Sequence, residues 1–211
     1  MRTVIAVLVG LLISGTAAAQ SPIRLFELST TGGLSDGPGY AGKAPVASVD
    51  ASFGMSWLRV NGGMSYSRLH KQGTSGGYQS STSYSVEAGF RNAFVLAGMN
   101  GNHTDQTEYT KDVDYRFVGA GYRWAGSWRK DRAVSINQLS VSYYRESRST
   151  YANHTEMYAV RYGWDRQLTG ALYLRVSLRL GAMYFDDNPY PGAQRRSGLA
   201  SNVSIGLVGR P

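Results

Sequence analysis

The sequence contains no cysteine, only six prolines in 211 residues, and fewer acids than bases, 14 Asp and Glu against 22 Lys and Arg. Without cysteine there is no disulfide scaffold and no thiolate metal site. The scarcity of proline leaves long stretches able to donate every backbone hydrogen bond, as sheet strands require. Beyond residue 19 no run is apolar enough to cross a bilayer as a helix, which takes about 20 residues. A chain of this kind enters a membrane only as a closed barrel, because closure alone satisfies every backbone group. Glycine and tyrosine, by contrast, are abundant at 26 and 15 residues. That mixture suits sheets with tight turns and aromatic belts better than long soluble helices.

The opening residues read as an export leader. Arg2 supplies the positive start, Val4 to Ile13 an apolar stretch too short to anchor, and Ala17-Ala18-Ala19 the small residues of a cleavage site. Residues 1–19 are therefore expected to be a signal peptide and residues 20–211 a single domain.

Within that domain apolar and polar residues alternate with a period of two, the signature of strands. The clearest stretch is 172–182, where Leu172, Leu174, Val176, Leu178 and Leu180 interleave with Tyr173, Arg175, Ser177, Arg179 and Gly181. Val49, Ala51, Phe53, Met55 and Trp57 alternate with Ser48, Asp50, Ser52, Gly54 and Ser56. Val118, Ala120, Tyr122 and Trp124 alternate with Phe117, Gly119, Gly121 and Arg123. Apart from Phe117 the second set is small, polar or charged, which describes a wet interior with an apolar outside. Strands are predicted at 23–30, 45–57, 59–69, 81–91, 94–103, 114–125, 133–146, 155–166, 171–185 and 199–208. Long polar connections at 31–44, 70–80, 104–113, 147–154 and 186–198 alternate with short ones. The expected fold is all-β, a membrane-spanning antiparallel up-and-down β-barrel of ten strands, with eight as the alternative. An even count puts both termini on the periplasmic side, and Trp57, Trp124, Trp128 and Trp164 then gather at that interface as an aromatic girdle.

On this pattern the chain resembles the small outer-membrane barrels of Gram-negative bacteria, the class that holds the OmpA membrane domain and the opacity-type proteins. The resemblance spans the mature chain and implies a bacterial outer-membrane location, with outer-membrane lipid and lipopolysaccharide as partners. It departs from the pattern at Val203-Ser204-Ile205-Gly206-Leu207-Val208-Gly209-Arg210-Pro211, which lacks the terminal aromatic such barrels commonly carry. The formal net charge of +8 then points to lipopolysaccharide phosphates or anionic polymers outside the cell, and not to nucleic acid.

A barrel does not name a function, so candidate residues carry the question. Asn102-His103-Thr104-Asp105 and Asn153-His154-Thr155-Glu156 form a near-repeat at the outer rim. His103 with Asp105, and His154 with Glu156, share a strand face, as a general-base pair or metal ligands would. The alternative is two solvated loop ends. The interior set Asp50, Arg59, Glu87, Arg91, Arg123, Arg161, Asp165, Arg175 and Arg179 reads either as an ion-paired plug or as the lining of a narrow anion-preferring pore. Asp165 is expected to pair with Arg175, leaving Arg161 and Arg179 to acids across the lumen, with Glu87 and Asp50 the candidates. Loops 70–80 and 186–198, with Arg195 and Arg196, could meet an extracellular ligand. No cofactor and no metal site is expected; Asp186-Asp187-Asn188 lacks EF-hand spacing. Three functions follow: a structural or surface-binding, adhesin-like barrel, a small pore, and a rim enzyme acting on lipid A or peptides.

Overall fold

The computed structural model describes residues 25–36, 44–55, 57–69, 77–90, 92–106, 109–129, 132–149, 154–186 and 195–210; the expected leader lies outside them. Ten strands run through these residues: β1 (Leu25–Asp36), β2 (Ala44–Gly54), β3 (Leu58–Leu69), β4 (Gly77–Phe90), β5 (Ala93–Gln106), β6 (Tyr109–Arg129), β7 (Arg132–Ser149), β8 (His154–Thr169), β9 (Leu172–Asp186) and β10 (Arg195–Gly209). Each pairs antiparallel with its neighbours in sequence, and β1 pairs with β10 to close the barrel. The eight-strand alternative is excluded. The start of β1 and the end of β10 share one end of the barrel, called here the terminal end; the opposite end is the loop end.

Alternation in sequence becomes alternation across the wall. Val49, Phe53, Val60, Met64, Val118, Val141, Val160 and Ile205 are exposed on the outside, while Ser29, Glu87, Ser140, Asp165 and Ser177 are buried inside. A globular sheet protein buries its apolar face; this one presents it. The arrangement is stable only where the surroundings are themselves apolar.

The strands are longer than the pattern predicts. β1 reaches Asp36 and not residue 30, β5 and β6 extend to Gln106 and from Tyr109, and β7 and β8 extend to Ser149 and from His154. The expected long connections at 31–44, 104–113, 147–154 and 186–198 shrink accordingly. The reason is that a ladder, once registered, continues through polar residues as long as the partner strand supplies hydrogen bonds. Register shifts between Asp114 and Tyr115 and through Ala125–Trp128 absorb the extra length of the β6–β7 pair.

Closure is tight where β1 meets β10. A Cβ added at Gly206 would run into the Thr30 carbonyl oxygen and Thr31 Cα, and one at Gly33 into the Val203 carbonyl oxygen. The β8–β9 turn has a different glycine requirement, since Gly170 sits at φ 45°, a left-handed conformation that glycine adopts freely.

Candidate functional site

At the terminal end of the lumen, strand alternation aims Glu27 and Ser29 of β1, Asp165 of β8 and Arg175 of β9 inward. Arg210 follows β10 and is tied by its backbone N–H to the Ala171 carbonyl at 2.8 Å. These side chains form one network. Arg175 Nε and Nη2 donate to the two Asp165 oxygens, both at 2.8 Å. Arg175 Nη2 also reaches Glu27 Oε1 at 2.6 Å, and Nη1 reaches the Ser29 hydroxyl at 3.4 Å. Arg210 Nε donates to Glu27 Oε2 at 3.0 Å, and its Nη2 pairs with Asp165 Oδ2. The Arg210 guanidinium lies over the Tyr173 ring, 4.6 Å from its centroid. Two carboxylates and two guanidiniums thus neutralise one another, the condition under which buried charge is tolerated, while Arg210 Nη1 is buried without a hydrogen-bond partner.

A second cluster faces it. Arg123 of β6 meets Glu87 of β4 through two bonds, at 3.1 and 3.2 Å. Arg123 also donates to Gln138 Oε1 of β7 at 3.1 and 3.0 Å and lies 4.9 Å from the Phe94 centroid. Arg59 stands between the clusters, within the electrostatic reach of Glu87 and Arg123 on one side and of Glu27 and Arg210 on the other. Together the two clusters draw on most strands of the barrel and occupy its terminal end.

The rest of the lumen is smaller and less charged. Hydroxyls and amides bond across strands, Thr31 with Ser48 and Ser177 with Ser204, each at 2.7 Å. Asn61 donates to Ser85 at 3.2 Å. Arg179 stacks on Tyr144 at 4.8 Å, and Tyr144 packs on Phe117 at 4.9 Å. Arg161 faces inward, directly across the ladder from Arg179, yet it is exposed.

Of the expected pairings the structure makes Asp165–Arg175. Glu87 does not reach Arg161 or Arg179, because it is committed to Arg123. Asp50, hydrogen-bonded by Ser48 at 3.3 Å, is the acid acting on Arg161 from a distance. Sequence reasoning missed Glu27 and Arg210. The first was legible, since Phe26, Leu28 and Leu34 alternate with Glu27, Ser29 and Ser35; the second was not, because Arg210 lies past the last alternating residue. Arg91 lies outside the described residues.

The rim residues are not brought together. His103 and Asp105 face outward on β5, and Glu156 faces outward on β8, well separated around the wall. His103 Nδ1 pairs across the ladder with Asp112 Oδ1 at 2.6 Å, not with Asp105. Asp105 instead hydrogen-bonds Tyr78, and its carboxylate pushes that phenol above its ordinary pKa. Glu156 accepts from the Tyr143 hydroxyl at 2.8 Å. The His154 side chain lies outside the described residues. Among the described residues no group of three or more His, Asp or Glu could hold a metal ion.

The exterior carries aromatics at both ends. Trp57 is exposed in the β2–β3 turn, Tyr122 packs against Trp124 at 6.0 Å, and Trp164 donates its indole N–H to the Ser135 hydroxyl at 3.2 Å; the Trp128 side chain lies outside the described residues. At the loop end Tyr66 stacks on Tyr78 at 5.8 Å, and Tyr143, Tyr158 and Tyr184 form a continuous run. A closed wall with an apolar outside, an aromatic band at each end and charge within is decisive. This is the architecture of an outer-membrane β-barrel.

No protein-family model matches the sequence, and no curated protein matches it. Solved structures do. The β domain of the Bordetella autotransporter BrkA aligns at 13% identity and a TM-score of 0.47, over 89% of this chain and 98% of that one. Neisserial surface protein A aligns at 10% identity and a TM-score of 0.38, over 90% and 99%. A major outer membrane protein of Thermus thermophilus aligns at 12% and 0.37, over 90% and 100%. The likeness is one of fold.

Proposed function

We propose that this chain is a bacterial outer-membrane barrel whose filled lumen makes it a structural and surface-binding protein, adhesin-like in that its loop end meets the outside. In that setting the terminal end is periplasmic and the outward apolar residues face lipid and lipopolysaccharide. The observation that carries the reading is the pair of ion clusters at the terminal end. The four groups Glu27, Asp165, Arg175 and Arg210, on or beside the adjacent strands β1, β10, β9 and β8, are balanced in charge and bonded to one another inside the lumen, and Glu87 and Arg123 pair on β4 and β6. A conducting pore would have to carry ions past them.

The second reading is a narrow anion-preferring pore. It is favoured by the exposed Arg161 and by the absence of a carboxylate within ion-pair distance of Arg161 or Arg179 among the described residues. Planar-bilayer recording separates the two. The plug reading expects no steady conductance from the wild-type protein, and openings once Glu27, Asp165, Arg175 and Arg210 are all replaced by alanine. A steady, anion-selective wild-type current would overturn it in favour of the pore.

A further inference from the structure

On the outside of β6 and β7, cross-strand partners change character from the terminal end upward. Trp124 is followed by Ala120 opposite Val141, then Val118 opposite Tyr143, then Arg116 directly opposite Arg145. Both arginines are exposed. Neither makes an ion pair with a carboxylate among the described residues. Glu156 lies across from Arg145 on β8 but is held by the Tyr143 hydroxyl at 2.8 Å. On its other flank Arg116 faces Met99 of β5, itself exposed.

Like charges directly opposite on an antiparallel pair are destabilising unless an anion is shared between them. Here two guanidiniums occupy such a position with no carboxylate within ion-pair distance among the described residues. Their depth is informative. Arg116 lies about 26 Å along the strand from Trp124 at roughly 3.3 Å per residue. With strands tilted about 35–45° the height difference is near 20 Å, comparable to an apolar band about 25 Å tall. The arginine pair therefore sits at the loop-side edge of that band, level with the Tyr143–Tyr158–Tyr184 belt, where a membrane presents its headgroups. The planar fork of arginine matches phosphate oxygens two at a time.

We propose that Arg116 and Arg145 form an exterior binding site for the phosphate of a phosphorylated outer-leaflet glycolipid of the lipid A type. Its acyl chains would run down the wall over Met99, Val118 and Val141. The inference rests on the outer-membrane placement proposed above.

The test uses the full-length barrel reconstituted in phosphatidylcholine vesicles with and without diphosphorylated lipid A. Native mass spectrometry after detergent extraction counts the retained lipid. Retention should fall about tenfold in R116Q/R145Q, the change that goes with losing roughly one net charge-assisted bond. R145Q alone should show a partial loss, and R68Q, an exposed outward arginine on β3, should retain lipid as the wild type does. Equal retention in wild type and R116Q/R145Q would overturn the site, as would an equal loss in R68Q. Complete displacement of lipid A by excess inorganic phosphate would also overturn it, because the site would then recognise free phosphate and not the lipid. A gel shift between boiled and unboiled samples checks that each variant is folded. If the wild type itself fails that check in vesicles, the membrane placement fails and not the site alone.

Discussion

Replacing Asp165 with alanine removes one of two carboxylates from a four-group network. Arg175 then keeps Glu27 at 2.6 Å, and Arg210 keeps the other Glu27 oxygen at 3.0 Å. One carboxylate is left between two guanidiniums, with an uncompensated positive charge in a lumen where the participating side chains are 7–18% exposed. Removing one partner of a buried pair costs about 3–5 kcal/mol, and the residual exposure of these side chains puts the expectation at the lower end. Arg175→Ala creates the opposite imbalance and should cost a similar amount. The double variant leaves Glu27 and Arg210 as a neutral pair and should cost less than the two single changes added together. A coupling of about 0.5–3 kcal/mol is expected from residues sharing one network. Urea unfolding in lipid vesicles, followed by tryptophan fluorescence, measures all four corners of the cycle. Additivity within about 0.3–0.5 kcal/mol would refute the plug, because it would mean that water screens these charges from one another.

Two further substitutions probe the wall. Ile205→Arg, on the outward face of β10 where Ile205 is 57% exposed, should cost about 2–4 kcal/mol near the bilayer midplane, whereas Leu199→Arg, 83% exposed near the loop end, should cost about 0–1; equal costs in vesicle unfolding would contradict the assigned depth. Gly206→Ala pushes a methyl into the Thr30 and Thr31 backbone at the β1–β10 closure and should cost about 1–3 kcal/mol, as overpacking does; an unchanged urea midpoint would show that the seam yields freely.

The sequence by itself determined what faces in and what faces out. A strand turns successive side chains to opposite faces, so Val176 and Arg175 had to part company whatever the rest of the chain did. Ten alternating segments with short and long connections therefore specified an up-and-down barrel, including β1 and β7, whose patterns are the least regular. The same logic reached Asp165–Arg175, because a tight turn sets the register of β8 on β9 locally.

Tertiary structure decided everything that depends on closure. Glu27 and Arg175 are 148 residues apart in sequence, and Arg123 finds Glu87 across 36. Alternation says that each of these points inward, but not at what height or toward which wall. That depends on the stagger accumulated from strand to strand and on where β1 meets β10. Arg210 joins the network for the same reason: once β10 is fixed against β1 and β9, the residue that follows it lies beside Glu27 and Asp165. Closure also set the strand lengths, since the ladders run on through polar residues at the loop end wherever a neighbouring strand satisfies their backbone groups.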